Sequence, residues 1–174
     1  DEDPGIYGVW NKAIEMSSGE YITNANLDDR KSANSLEVHA KALLQSDVDL
    51  VYSDMAITTE PNETWESNTS NGRKYNMAEF SLDNLLRGNM PHAAPMWKKS
   101  LHDKHGKFDE KYKSAGDWEM WLRAASEGSE FKKINDVSNL YFFNPKGIST
   151  NPENNSWKRQ EEKEVYMKYR KDVA

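Results

Sequence analysis

Two adjacent carboxylates, Asp28 and Asp29, stand in the stretch Asn26-Leu27-Asp28-Asp29-Arg30, directly after a short apolar run from Glu20 to Ala25 that reads as a strand. Open α/β sheets bind ligands at the carboxyl ends of their strands, and hard divalent cations take carboxylate oxygens while leaving positions for substrate phosphates. The pair is therefore a candidate for holding a metal-bound phosphate. A solvated acidic turn is the plainer alternative, because short acidic motifs often arise by chance. Asp117 is the second candidate, at the start of a helix after Ser114-Ala115-Gly116. A carboxylate there either caps the helix amides, which lowers its pKa, or is held as a general base. The residues alone leave both roles open.

The remaining polar and aromatic residues are weaker signals. His102 and His105 lie three apart on a predicted helix, but Lys98, Lys99, Lys104 and Lys107 surround them and oppose a cation, so the pair reads as a solvated basic face. His39 reads as a boundary residue beside the apolar stripe of its helix, and His92, in a Pro-bounded loop, is open to an acceptor-site role. Trp10, Trp118 and Trp121 fall at helical core spacing, whereas Trp65 and Trp97 are freer to meet a ligand. There is no Gly-x-Gly-x-x-Gly, Walker phosphate loop or Gly-x-Ser-x-Gly elbow, which counts against dinucleotide redox enzymes, P-loop kinases and α/β-hydrolases.

These side chains need a scaffold, and 174 residues suffice for one domain with a real core. Hydrophobic residues make up 36% and charged residues 30%, and mean hydropathy is −0.96, so six Trp, eight Tyr and five Phe must supply much of that core. A net charge of −6 disfavours nucleic acid as a partner. The absence of cysteine excludes disulfides, thiolate zinc sites and cysteine nucleophiles. No run approaches the ~18 apolar residues of a membrane span, and the first residues do not read as a signal peptide. A soluble, cytoplasmic piece is expected, peripheral to a membrane at most through a full-length parent.

Ile6, Val9, Trp10, Ala13 and Ile14 predict an amphipathic helix ending near Ser17-Ser18-Gly19, with Gly19 as the left-handed cap. After the acidic loop, Asn34 and Glu37 resemble a capping box, and Leu36, Ala40, Leu43 and Leu44 form one helical face. Val48 to Tyr52 completes a βαβ unit, whose crossover implies parallel strands and an α/β fold. Thr58 to Ala78 reads as a polar surface excursion of the kind that lines sites. A short helix capped by Ser81, an extended Ala94 to Trp97, and a helix from Lys99 to His105 ended by Gly106 follow. The helix at Asp117 ends before Gly128; Phe131 to Ile134 and Leu140 to Phe143 read as two strands; Trp157 to Lys171 is a charged helix within the tail 151–174.

Taken in order, Asp3-Pro4-Gly5-Ile6-Tyr7 with Trp10-Asn11-Lys12-Ala13, Ser18-Gly19-Glu20-Tyr21-Ile22, Asn26-Leu27-Asp28-Asp29, Lys107-Phe108-Asp109-Glu110, Ser114 to Arg123 and Gly147-Ile148-Ser149-Thr150 resemble the family 2 glycosyltransferases. The resemblance covers most of residues 3–150. It implies the GT-A fold, a mixed, mainly parallel sheet flanked by helices, and transfer of a sugar from a nucleotide sugar, a UDP-sugar, to a glycan or lipid-linked acceptor with inversion. By position, Asn26, Asp28, Asp29 and Arg30 fall to the donor; Asp29 and Asp28 become the ligands of Mn²⁺ or Mg²⁺; and Asp117 becomes the general base. His92, Trp97 and Trp118 fall to the acceptor side.

Asn26 stands where the family often has an acid, Gly116 where an acid often precedes the base, and Asn144 where many members carry a metal-side His, so that its amide oxygen is at best a weak ligand. The family's first βαβ layers precede the matched segments, so a chain beginning in mid-fold is expected, as the C-terminal two-thirds of a GT-A domain. An open sheet edge would then favour self-association. The alternatives are a catalytically weak carbohydrate-binding or assembly module on the same fold, and a metal-dependent phosphohydrolase, which lacks a second acidic cluster.

Overall fold

The apolar run beginning at Leu50 calls for a strand covered on both faces, and β3 (Leu50–Thr58) is that strand, with Leu50, Val51, Tyr52 and Met55 buried. The computed structural model describes residues 3–92 and 95–172. Before β3 come α1 (Gly5–Met16), β1 (Tyr21–Thr23), β2 (Arg30–Lys31) and α2 (Ser35–Gln45). After it come β4 (Lys74–Tyr75), α3 (Leu82–Arg87), β5 (Met96–Lys98), α4 (Leu101–His105), α5 (Gly116–Ser126), β6 (Phe131–Phe142) and α6 (Asn155–Tyr169). Strand order is β1-β5-β3-β6-β2, with β4 pairing off this path onto β3. Among the described residues no helix is long and apolar enough to cross a membrane.

The sheet is mixed and flanked by helices, as expected, but its parallel share is smaller. Among the described strands β3 and β6 are the parallel pair, while β1–β5, β3–β5, β3–β4 and β2–β6 are antiparallel. Since β1 and β3 both oppose β5, they point the same way with β5 inserted between them. The βαβ reading therefore holds for direction and fails for adjacency, because periodicity reports a strand and not its neighbour.

The two strands expected at the chain's end are one long β6. Its register against β3 shifts on either side of Asp54, and the polar stretch around Asn135-Asp136 is accommodated there as a bulge. Beyond Thr58 the excursion is knit by Glu63, which accepts from the Thr69 amide (2.6 Å) and hydroxyl (2.8 Å), and the chain returns through β4. Ala94, expected to be extended, lies outside the described residues; β5 begins at Met96.

Several local expectations need correction. Helix α1 ends at Ser17, whose N–H reaches the Ala13 and Ile14 carbonyls, so Gly19 is not its cap. Asn34 is the N-cap of α2 but its side chain makes no capping bond; it accepts from the Ser32 hydroxyl instead (2.9 Å). The buried face of α2 is Ser35, His39 and Leu43, while Leu36 and Leu44 are exposed. A shift of one residue turns a helix by about 100°, enough to exchange its faces. His39 is thus inside, its Nδ1 2.8 Å from the Ser35 carbonyl. Ser81 caps α3 as read, and Gly106 and Gly128 take positive φ after α4 and α5.

The core is aromatic. Trp97 and Trp121 pack at 5.1 Å between ring centroids and Phe108 sits 5.6 Å from Trp121. Trp97, expected on the acceptor side, is only 2% exposed and belongs to this cluster. A three-residue strand is too short for alternation to tell which face a tryptophan takes.

The indole N–H of Trp97 donates to His102 Nε2 (2.9 Å), and His102 Nδ1 donates to the Gly106 carbonyl (3.0 Å). His105 contacts Glu127 (2.7 Å) and Ser129 (2.9 Å). Neither histidine is the solvated residue expected from the surrounding lysines. Protonating His102 would cost Trp97 its acceptor, and burial already holds the imidazole below its usual range. The neutral form is the folded form, so its contribution is whole above about pH 6.5 and is lost as pH falls through the lowered folded value. Replacing His102 by glutamine is expected to flatten that part of the stability–pH curve, measured by urea unfolding between pH 7 and pH 5.

Candidate functional site

Strand β1 delivers the chain into the acidic loop, and the loop is fastened to the far end of β6. Asp29 Oδ1 accepts from the Phe142 backbone N–H (3.1 Å) and Oδ2 from the Asn26 amide (2.8 Å). Arg30 braces the turn through the Leu27 and Asp29 carbonyls (3.3 and 2.9 Å) and reaches Asn62 Oδ1 in the excursion (3.1 Å). Asp28 is exposed beside it. Burial pushes the Asp29 carboxyl up, with Asp28 adding to the shift, while Asn26 and the Phe142 N–H oppose it. Near it the side-chain oxygen of Asn24 is buried with no hydrogen-bond partner among the described residues.

Asp117 is in the first turn of α5, whose N-cap is Ala115. It is not a helix cap: its carboxylate accepts from the Tyr7 hydroxyl (3.1 Å), the Asn89 amide (2.8 Å) and its neighbour's N–H at Trp118 (2.8 Å). The Tyr7 hydroxyl also contacts the Ser114 carbonyl at 2.7 Å. Burial and the Asp117 charge push the phenol far up, so it stays a donor. Gly116 makes this approach possible, because a Cβ there would lie 2.7 Å from the Tyr7 ring. Burial raises the Asp117 carboxyl above its ordinary range, against the opposing pull of His92, Asn89, the Trp118 N–H and Tyr7.

Both carboxylates open onto one cavity of about 660 Å³, lined also by Asn24, Asn26, His92 and Asn144. An adjoining cavity of about 450 Å³ is lined by Tyr75, Asn89, Trp118, Lys158 and Glu162, and shares Asp117, His92 and Tyr141 with the first. His92 stands where the two meet, edge-on to Tyr141 with ring centroids 5.2 Å apart. Burial lowers its pKa while Asp117 and Asp29 pull it back up.

The structure thus brings Asn26, Asp28, Asp29, His92, Asp117 and Asn144 to one cavity and Trp118 to the other, with Arg30 bracing the loop. Trp97 is excluded. Asn144 Oδ1 accepts from the Lys146 N–H (3.0 Å). Among the described residues no three His, Asp or Glu side chains are grouped to hold a metal. Sequence reasoning missed Asn24, Asn89 and Tyr141, which carry no motif, and passed over Tyr7 although it stands in a motif that was recognised.

No protein-family model matches the chain. It is 25% identical over 129 residues to the PGL/p-HBAD biosynthesis glycosyltransferase of Mycobacterium bovis (strain BCG / Pasteur 1173P2), a match covering 72% of this chain and 46% of that protein. It is 30% identical over 136 residues to the chondroitin synthase of Pasteurella multocida (strain Pm70), covering 76% of this chain and 13% of that one. The solved structure of S. aureus TarS 1-349 in complex with UDP superposes with a TM-score of 0.62 at 18% identity, covering 82% of this chain and 41% of that chain. Its complex with UDP-GlcNAc gives 0.63, also at 18% identity.

The chain is glycosyltransferase-like. This glycosyltransferase-like chain has the GT-A type of fold seen in TarS, and it spans less than half the length of each of these relatives (46%, 13% and 41%).

Proposed function

We propose that this chain carries donor-side and acceptor-side elements of an inverting, family 2 glycosyltransferase acting on a nucleotide sugar, a UDP-sugar, and a glycan or lipid-linked acceptor. The observation that carries the reading is the single cavity with the Asn26–Asp29 loop and Asp117 both on its wall. The TarS complexes with UDP and UDP-GlcNAc support the choice of donor.

In this reading the sugar lies between the acidic loop and Asp117. Asp117 takes the proton of the acceptor hydroxyl as that oxygen bonds to the anomeric carbon. The bond from that carbon to the diphosphate breaks on the opposite face, and its electron pair leaves with the nucleoside diphosphate. A carboxyl raised by burial is better matched to this task near neutrality than an ordinary surface aspartate. Tyr7, Asn89 and the Trp118 N–H orient it, and Trp118 offers an apolar face to a sugar in the adjoining cavity.

A divalent cation fits the loop's chemistry. Asp29 is a partly buried carboxylate that burial and the like-charged Asp28 push up, with His92 pulling the other way, and the orphaned Asn24 oxygen is a further hard donor. Asp29, Asp28 and Asn24 would hold it, Asn144 being engaged elsewhere, and substrate phosphates would complete the shell. When bound, such an ion neutralises charge on the departing diphosphate.

Thermal unfolding with UDP and Mn²⁺ tests the reading. At about tenfold excess over Kd, binding adds about 1.4 kcal/mol and is expected to raise Tm by roughly 3–5 °C. The rise should require both ligands and vanish in the Asp28→Asn, Asp29→Asn double variant. A folded wild-type chain with no rise for UDP, GDP, CDP or dTDP would overturn the donor assignment for this chain.

A further inference from the structure

Side chains of Tyr7 and Asn89 hold Asp117 itself, but the turn that delivers it is held from another part of the fold. Three successive backbone N–H groups converge on one carboxylate, Glu161 of α6: Lys113 N lies 2.8 Å from Oε1, and Ser114 N and Ala115 N lie 3.0 and 3.1 Å from Oε2. Consecutive N–H groups in a turn form a concave nest for an anion, and bonds from such donors to a carboxylate are about twice as strong as neutral ones. Here the chain fills the nest with its own side chain.

That turn bears directly on Asp117. Its Ser114 carbonyl shares the single proton of the Tyr7 hydroxyl with Asp117, and its Ala115 is the N-cap of α5, which carries Asp117 in its first turn. Docking of α6 does not depend on Glu161. Val165 and Tyr169 are buried, Lys168 and Tyr169 bind Glu119, and Glu164 meets Lys111 (2.5 Å) and Tyr112 (3.1 Å). The same helix presents Lys158 and Glu162 to the cavity beside Asp117.

We propose that Glu161 is a positioning residue for sugar transfer, fixing the 113–115 turn so that the Asp117 carboxylate faces the acceptor. This rests on the reading of Asp117 as the base. It makes α6, the most charged helix of the chain, a working part of the acceptor site.

The test compares Glu161→Ala, Glu161→Gln and, as a control for helix docking, Glu164→Ala. The Asp117 carboxyl ¹³C resonance is followed by NMR, and kcat and donor KM are followed by sugar transfer to a hydroxyl acceptor. Glu161→Ala should displace the Asp117 resonance and lower kcat about 10- to 100-fold with donor KM within about twofold, since small misplacements of a reacting group are costly. Glu161→Gln, which keeps an accepting oxygen, should recover part of both effects, and Glu164→Ala should leave both at wild-type values. An Asp117 resonance unmoved in folded Glu161→Ala, or moved equally by Glu164→Ala, would overturn the proposal whether or not the chain transfers sugar. A displaced resonance with transfer insensitive to Asp117→Asn would instead sink the base assignment and with it the role of Glu161 in transfer, leaving only its hold on the 113–115 turn.

Discussion

Replacing Asp117 by asparagine is expected to lower the rate of sugar transfer about 10²- to 10⁴-fold, the usual worth of a positioned general base. The substitution is close to isosteric, and the amide oxygen can still accept from the Trp118 N–H and the Tyr7 hydroxyl that now meet the carboxylate. Donor binding should therefore survive, and the UDP-dependent rise in Tm should match wild type. In the wild-type chain, transfer should decline as pH falls through the raised Asp117 value, because protonation removes the base. Rates across pH 4 to 8 check both statements. Transfer that persists in the variant with the same acidic limb would show that another group takes the proton. A wild-type chain that binds glycans but transfers nothing would favour a carbohydrate-binding module on this fold.

The largest effect on stability is expected at Glu119, which is 1% exposed although it is a carboxylate. It accepts from Arg123 Nη2 (2.8 Å), Lys168 Nζ (2.7 Å) and the Tyr169 hydroxyl (2.6 Å), tying the first turn of α5 to the end of α6. Its pKa is pulled down to about 2: burial works to raise it, but Arg123, Lys168 and Tyr169 outweigh that. Glu119→Ala would leave the partly buried Arg123 without its carboxylate and free the last turn of α6. Breaking one side of such a pair costs about 3–5 kcal/mol, which for this length is a fall in Tm of roughly 6–20 °C. A depressed carboxylate stabilises fully above its unfolded value near 4.5 and loses that contribution as pH falls toward about 2. Wild-type stability should therefore drop over that window, and the drop should be shallower in Glu119→Ala. Urea unfolding at pH 7 and pH 3 measures it. Equal stability of the two proteins at pH 7 would mean that the ion pairs merely offset their desolvation.

Where one physical signal dominates, the sequence was readable. The spacing of Trp118 and Trp121 located α5, and Ser81 marked the start of α3 through the bond its side chain makes. The acidic loop and Asp117 were legible as a pair because a matching pattern of motifs surrounded each. What failed depended on neighbours distant in sequence. Asn135-Asp136 looked like a break because a bulge in a paired strand resembles a turn when its partner is unknown. His102 looked solvated because four lysines flank it, yet its two nitrogens are committed to Trp97 and Gly106. Asn89 stands in an unremarkable loop, and only the approach of α5 gives its amide a carboxylate to hold.

The contact between Gly116 and Tyr7 links two parts of the chain separated by more than a hundred residues. The Tyr7 ring occupies the space that any side chain at 116 would need. Positions 7 and 116 are therefore sterically coupled: a side chain enters at 116 only if the Tyr7 ring moves aside or gives way to a smaller residue. Related chains should accordingly carry either a large ring with glycine or a small side chain with a bulkier one, and seldom a mixture of the two.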